Sequence, residues 1–138
     1  MEILLKDLED LKRGAQDFLN QIEDKRVFAF KGQMGAGKTT FILSLLKAMG
    51  VKEVEGSPTY SLVNSYSSYV YGKIHHFDLY RLESEDEAYD IGIEEMLYSD
   101  EYCMIEWPEK IVSLLPENTC WVSIVLNDSN ERVLTIEE

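Results

Sequence analysis

Apolar residues recur along the chain at two spacings, and each spacing predicts an element. Ile3, Leu4 and Leu5 predict a short first strand. Leu8, Leu11, Ala15, Phe18, Leu19 and Ile22 fall on one helical stripe. Asp7 reads as the N-cap of that helix, with Glu9 and Asp10 at its positive end. Val27, Phe28, Ala29 and Phe30 form an unbroken apolar run, the pattern of a strand buried on both faces. Phe41, Ile42, Leu45, Leu46 and Met49 return to the helical spacing, and Gly50 is a stop signal. Residues 60–77 are rich in Tyr, Val and Ser, which predicts two antiparallel strands turning near Ser67 and Ser68 or at Tyr71, Gly72 and Lys73. Short helices are expected over 84–89 and 93–98, on either side of Gly92. Tyr102, Cys103, Met104 and Ile105 predict another apolar strand, ended by Glu106, Trp107 and Pro108. A short helix over 109–115 stops at Pro116. Strands over 121–126 and 133–136 flank Asn127, Asp128, Ser129 and Asn130, a strong turn signal.

Strands alternating with helices predict an α/β fold with a mixed, mainly parallel sheet flanked by helices in three layers. The connection between the strand at 27–30 and the helix at 39–49 narrows this further. It reads Gly32-Gln33-Met34-Gly35-Ala36-Gly37-Lys38-Thr39, which fits G-x-x-x-x-G-K-[ST], the phosphate-binding loop of P-loop NTPases. Its glycines let backbone N–H groups approach phosphate oxygens. Lys38 can reach the β- and γ-phosphates, and the Thr39 hydroxyl can ligate Mg²⁺. The following helix points its positive end, starting at Thr39 and Thr40, at the same anion. Strand, loop and helix occur in the order the motif requires. A nucleoside triphosphate with Mg²⁺ is the expected ligand.

Such a site needs a further acid to organise the metal, usually at the C-terminal end of a neighbouring strand. Asp78 follows Ile74-His75-His76-Phe77, and Glu106 follows Cys103-Met104-Ile105. Ligands in open α/β sheets sit beyond the carboxyl ends of strands, so both acids qualify and the residues alone leave their roles open. His75 and His76 are neighbours on a strand and point to opposite faces, so they read as structural rather than as a metal pair. Trp107 reads equally as a base-stacking ring or as a packed rim aromatic.

Composition changes the picture in two ways. The chain has 138 residues, near the roughly 150 of one domain, and it is expected to form a single domain over 1–138. Its 13 basic and 26 acidic residues give a formal net charge of −13, so it lacks the basic footprint that grips a nucleic-acid backbone. Cys103 and Cys120 sit in apolar runs without a C-x-x-C and read as reduced core thiols. No apolar run approaches the ~18 residues of a membrane span, and Met1-Glu2-Ile3-Leu4-Leu5-Lys6-Asp7 does not read as a signal peptide. A cytoplasmic location is expected, with no membrane partner.

Four blocks together carry a resemblance: Gly32 to Phe41; Ser57-Pro58-Thr59-Tyr60-Ser61-Leu62-Val63; His76-Phe77-Asp78-Leu79-Tyr80-Arg81-Leu82; and Ile105-Glu106-Trp107-Pro108. In this order and spacing they resemble the TsaE (YjeE) family, the small ATPase of bacterial tRNA threonylcarbamoyladenosine synthesis. The last thirty residues carry little of it. The resemblance implies ATP and Mg²⁺ binding, slow hydrolysis, and work with two partner proteins, TsaB and TsaD. Their complex modifies the adenosine just 3′ of the anticodon in tRNAs reading codons that begin with A, and this chain would meet tRNA only indirectly. Carried over by position, Lys38 and the loop amides hold the phosphates, and Thr39 and Glu106 ligate Mg²⁺. Thr59 approaches the γ-phosphate, Asp78 orients the attacking water or supports the metal, and Asp7 and Arg132 flank the nucleotide. Two rivals are a small-molecule kinase and a GTP switch. Arg13, Arg26, Arg81 and Arg132 are too scattered for a kinase lid, Arg81 reading as a structural corner, and the guanine-reading N-K-x-D is absent.

Overall fold

A computed structural model describes residues 1–58 and 61–137 of the chain. Its strands are β1 (Glu2–Leu5), β2 (Val27–Lys31), β3 (Val63–Ser68), β4 (Gly72–Asp78), β5 (Tyr102–Glu106), β6 (Cys120–Leu126) and β7 (Arg132–Ile136). They form one seven-stranded sheet in the order β1-β7-β6-β2-β5-β4-β3. The four central strands are parallel, β2 pairing with both β5 and β6, and β5 with β4. The flanks are antiparallel: β3 on β4, and β7 and β1 beyond β6. This is the expected mixed sheet, and its composition follows the strands' positions. The central strands β2 and β5 are buried almost throughout, as unbroken apolar runs require, whereas the edge strand β3 alternates polar residues.

Helices α1 (Asp10–Gln21) and α2 (Lys38–Ala48) cover one face. Phe18 of α1 stands at 5.4 Å from the Phe28 ring, 6.0 Å from Phe30 and 5.6 Å from Phe41 of α2, so one aromatic knot locks both helices to β2. The other face carries α3 (Glu85–Asp90), α4 (Ile93–Leu97) and the segment Pro108–Leu114, packed over Phe77, Cys103 and Ile105. Helix α2 ends as expected at Gly50: Val51 N–H bonds Leu46 C=O and Gly50 N–H bonds Lys47 C=O, each at 3.1 Å, while Val51 is buried.

Three local expectations are revised. Asp7 does cap, its Oδ1 accepting the N–H groups of Glu9 and Asp10 at 3.0 and 3.2 Å, but the turn it closes precedes the helix, which starts at Asp10. Leu8 therefore lies outside the buried stripe and is exposed. The segment after Pro108 is 3₁₀ rather than α and is broken at Ile111 (φ −136°), with Ile111 and Leu114 both buried; a short, interrupted run of this kind is where the tighter helix is usually found. The β3–β4 hairpin turns through Tyr69, Val70 and Tyr71, pairing Ser68 with Gly72. Both cysteines are free and buried, and burial pushes the Cys103 thiol up to about 12. No helix among the described residues is long and apolar enough to cross a membrane.

Candidate active site

The loop of residues 32–37 joins the C-terminal end of β2 to the first turn of α2. Two of its glycines are required by contact. A Cβ on Gly32 would lie 2.8 Å from the Ile124 carbonyl of β6. A Cβ on Gly37 would lie 2.6 Å from Arg132 Nε, and Gly37 also has φ +100°. Phe41 N–H to Gly37 C=O at 3.0 Å is the first helical bond, so the amides of residues 38–40 point out of the helix start, where an anion is favoured. Arg132 of β7 braces this turn, its Nε donating to Ala36 C=O at 2.8 Å.

Lys38 is 5% exposed and folds back on the loop, its Nζ donating to Gly32 C=O at 2.6 Å. The same Nζ stands 3.5 Å from the centroid of the Trp107 ring, a cation–π contact. Trp107 reaches it because the backbone turns left-handed directly after β5 (φ 59°, ψ 50°), and its ring rests 5.2 Å from that of Tyr80. Burial lowers the Lys38 pKa, and the charges of Glu106, Glu109 and Asp78 oppose that shift.

Beyond the loop, β4 and β5 end side by side, with Asp78 opposite Glu106 in the parallel register. Glu106 is 2% exposed. Its Oε1 accepts the Thr39 hydroxyl at 2.6 Å, and its Oε2 lies 2.7 Å from Nε2 of His76. Asp78 is also buried, with Oδ2 accepting the Ser57 hydroxyl at 2.5 Å and Oδ1 the Tyr80 N–H at 3.1 Å. His75 takes the opposite side of the strand, bonded to Ser65 and Glu101.

Lys38, Thr39, Asp78, Glu106 and Trp107 line a cleft of about 420 Å³ together with Met34, Thr40, Arg81 and Arg132. The volume suits a small ligand. The donors suit Mg²⁺ held with phosphates: a hydroxyl and a carboxylate already meet, and Asp78 is adjacent. Among the described residues no group of three or more His, Cys, Asp or Glu could hold a metal.

Loop, Lys38, Thr39, Thr40, Asp78, Glu106 and Arg132 are thus together. Gln33 and Ala36 line an adjoining recess between the loop and β6, and Asp7 lines a smaller one with Gly37, Thr40 and Arg132. Thr59 lies outside the described residues. Arg81, read from sequence as a corner, lines the cleft. Sequence reasoning did not select His76, Ser57 or Tyr80 for the site. His76 and Ser57 bond partners 30 and 21 positions away, and Tyr80 contributes its backbone amide, so none of the three carries a side-chain signal in the sequence.

Comparison with known proteins places this geometry. The family described as Threonylcarbamoyl adenosine biosynthesis protein TsaE matches residues 5–134. The tRNA threonylcarbamoyladenosine biosynthesis protein TsaE of Treponema pallidum is 34% identical over 134 residues, covering 96% of this chain and 98% of the relative. The protein of the same name from Haemophilus influenzae is 36% identical over 129 residues, covering 92% and 80%. The crystal structure of YdiB from Bacillus subtilis aligns with a TM-score of 0.79 over 99% of this chain and 83% of that one. At 23% identity that likeness bears on the fold alone, a P-loop-like α/β fold. With a family match running from the first strand to the last and relatives about one-third identical along nearly the whole chain, this protein belongs to the TsaE family of threonylcarbamoyl adenosine biosynthesis proteins.

Proposed function

We infer that this chain binds ATP with Mg²⁺ and hydrolyses it slowly, in support of the TsaB–TsaD complex that forms threonylcarbamoyladenosine beside the anticodon of tRNA. One observation carries the reading. Thr39 and Glu106, 67 positions apart, meet at 2.6 Å beside a buried lysine at the mouth of a glycine loop. Two hard oxygen donors in that setting suit a magnesium–phosphate ligand better than any apolar one. The relatives' name supplies the pathway.

The residues then divide the work. The amides of the loop and of the first turn of α2 cradle the phosphates. Lys38 exchanges its bond to the Gly32 carbonyl for phosphate oxygens, a move its three-donor ammonium allows. Thr39 and Glu106 would hold Mg²⁺, which offsets charge on the β- and γ-phosphates. Asp78, fixed by Ser57 and the Tyr80 amide, is the carboxylate left to orient the attacking water. Asp7 and Arg132 flank the nucleotide in this reading. A soluble, cytoplasmic setting is part of the same inference.

The test is ATP titration with and without Mg²⁺, followed by phosphate release, with GTP as competitor. Lys38→Ala should lose tight binding while keeping its thermal midpoint. Glu106→Ala should lose the Mg²⁺ dependence. Asp78→Asn should bind nearly normally and turn over more slowly. Unchanged affinity in Lys38→Ala would remove the nucleotide reading, and reversed behaviour of the two acids would exchange their roles.

A further inference from the structure

Packing does not explain His76. It lies on β4 in register with Met104 of β5, two pairs below Asp78 and Glu106 and so on the same face of the sheet. Its relative exposure is 0%. Nε2 lies 2.7 Å from Glu106 Oε2, while Nδ1 is buried with no hydrogen-bond partner among the described residues. Leaving a buried polar atom unpaired costs its full desolvation penalty. Ile74 and Met104, the neighbours on this face, are the kind of residue that avoids such a cost. A ring that leaves one nitrogen unpaired is retained for what its other nitrogen does.

We propose that His76 is a positioning residue that holds the Glu106 carboxylate in its metal-binding orientation. This role rests on the reading of Thr39 and Glu106 as the pair that holds Mg²⁺. The carboxylate has one donor on each oxygen. Oε1 accepts the Thr39 hydroxyl at 2.6 Å, on the side of the loop. The imidazole tautomer with its hydrogen on Nε2 donates to Oε2 from below. Glu106 ends a strand, and its side chain has three rotatable bonds, so a single contact on Oε1 leaves the carboxylate plane free to turn. The second donor fixes that plane and keeps Oε1 directed at Thr39. The ring is itself held, being fully buried on a central-sheet strand paired on both sides. Donors behind a ligating carboxylate act this way generally, and losing one costs roughly 10–100-fold in metal affinity or activity.

The experiment compares the full-length wild type with His76→Leu, His76→Gln and His76→Asn. Each is measured for ATP affinity without metal, for the Mg²⁺ concentration that gives half of the metal-dependent gain, and for its thermal midpoint. His76→Leu keeps the volume and removes the donor. His76→Gln carries an amide nitrogen to about the reach of Nε2, and His76→Asn stops short at the level of Nδ1. The expected result is that Leu and Asn raise the half-maximal Mg²⁺ concentration roughly tenfold or more, with metal-free ATP affinity unchanged. Gln should restore most of the Mg²⁺ response. If His76→Leu does not fold, the contrast between Gln and Asn gives the same answer. A purely structural histidine would instead change the thermal midpoint and leave the Mg²⁺ dependence alone. Unaltered Mg²⁺ dependence in Leu and Asn, or a Gln variant as impaired as Asn, overturns the positioning role. A wild type whose ATP affinity ignores Mg²⁺ overturns the metal reading itself, and that result is visible before any variant is made.

Discussion

Gly37 illustrates how much the site depends on one missing side chain. The residue sits at φ +100°, and the space a Cβ would enter is held by the Arg132 guanidinium, 2.6 Å away. Arg132 is tied in turn to the Ala36 carbonyl, so it cannot move without releasing the loop. Gly37→Ala should therefore strain the turn by about 1–2 kcal/mol and weaken ATP binding at least tenfold. Calorimetric titration alongside a thermal melt checks this: a normal affinity with an intact fold would show that the loop tolerates the change. Lys38 presents the opposite case, a charge kept nearly dry by a carbonyl and an aromatic face. Both contacts are ones a phosphate can replace, which leaves the lysine poised for an anion rather than buried for stability.

At the scale of elements, the loop is only as well placed as the three elements around it. Phe18, Phe28, Phe30 and Phe41 interlock α1, β2 and α2, and all four are fully buried. Fully burying one such ring contributes about 1.5–3 kcal/mol, and removing it leaves a cavity as well. Phe18→Ala should cost about 3–5 kcal/mol, read as a lowered urea midpoint. It should also weaken nucleotide binding if, as proposed, the amides at the start of α2 meet the phosphates. A stability loss below 1 kcal/mol would mean that α1 is a cover rather than a clamp. The revised segment after Pro108 belongs to this scale too. Residue identities predicted a turn of helix there, and the structure makes it a short 3₁₀ run interrupted at Ile111.

For the whole molecule, the net charge of −13 and the cleft's own basic residues point in different directions. Lys38, Arg81 and Arg132 gather on the cleft of an otherwise acidic protein, so the site can draw a nucleotide while the surface repels a nucleic-acid backbone. Work on tRNA would then pass through partners. Hydrolysis should be slow for the isolated chain and faster when TsaB and TsaD are added. An arginine supplied in trans is worth about 10³–10⁵ in rate where it is missing. Arg81 and Arg132 already line the cleft, so a partner could act without supplying an arginine of its own. Phosphate release is measured for the chain alone, with each partner and with both. Equal rates in all four would remove partner activation.

Local chemistry was legible in the chain itself. The spacing of Gly32, Gly37, Lys38 and Thr39 matches a phosphate-loop pattern, in which the backbone needs glycine and the ligand needs a cation and a hydroxyl at fixed offsets. The apolar runs at β2 and β5 announce buried parallel strands, because only strands covered on both faces lose their alternation. The roles of Asp78 and Glu106 were not separable there, and His76 read as structural, since all three depend on contacts between segments far apart. Parallel pairing of β4 with β5 decided these contacts: it set Asp78 opposite Glu106 and slid the His76 ring beneath the carboxylate. The packing of α2 against β2 then brought Thr39 to the other oxygen. Periodicity and motif report what a residue's neighbours in sequence demand, whereas a hydrogen bond across 67 positions exists only once the sheet has chosen its register.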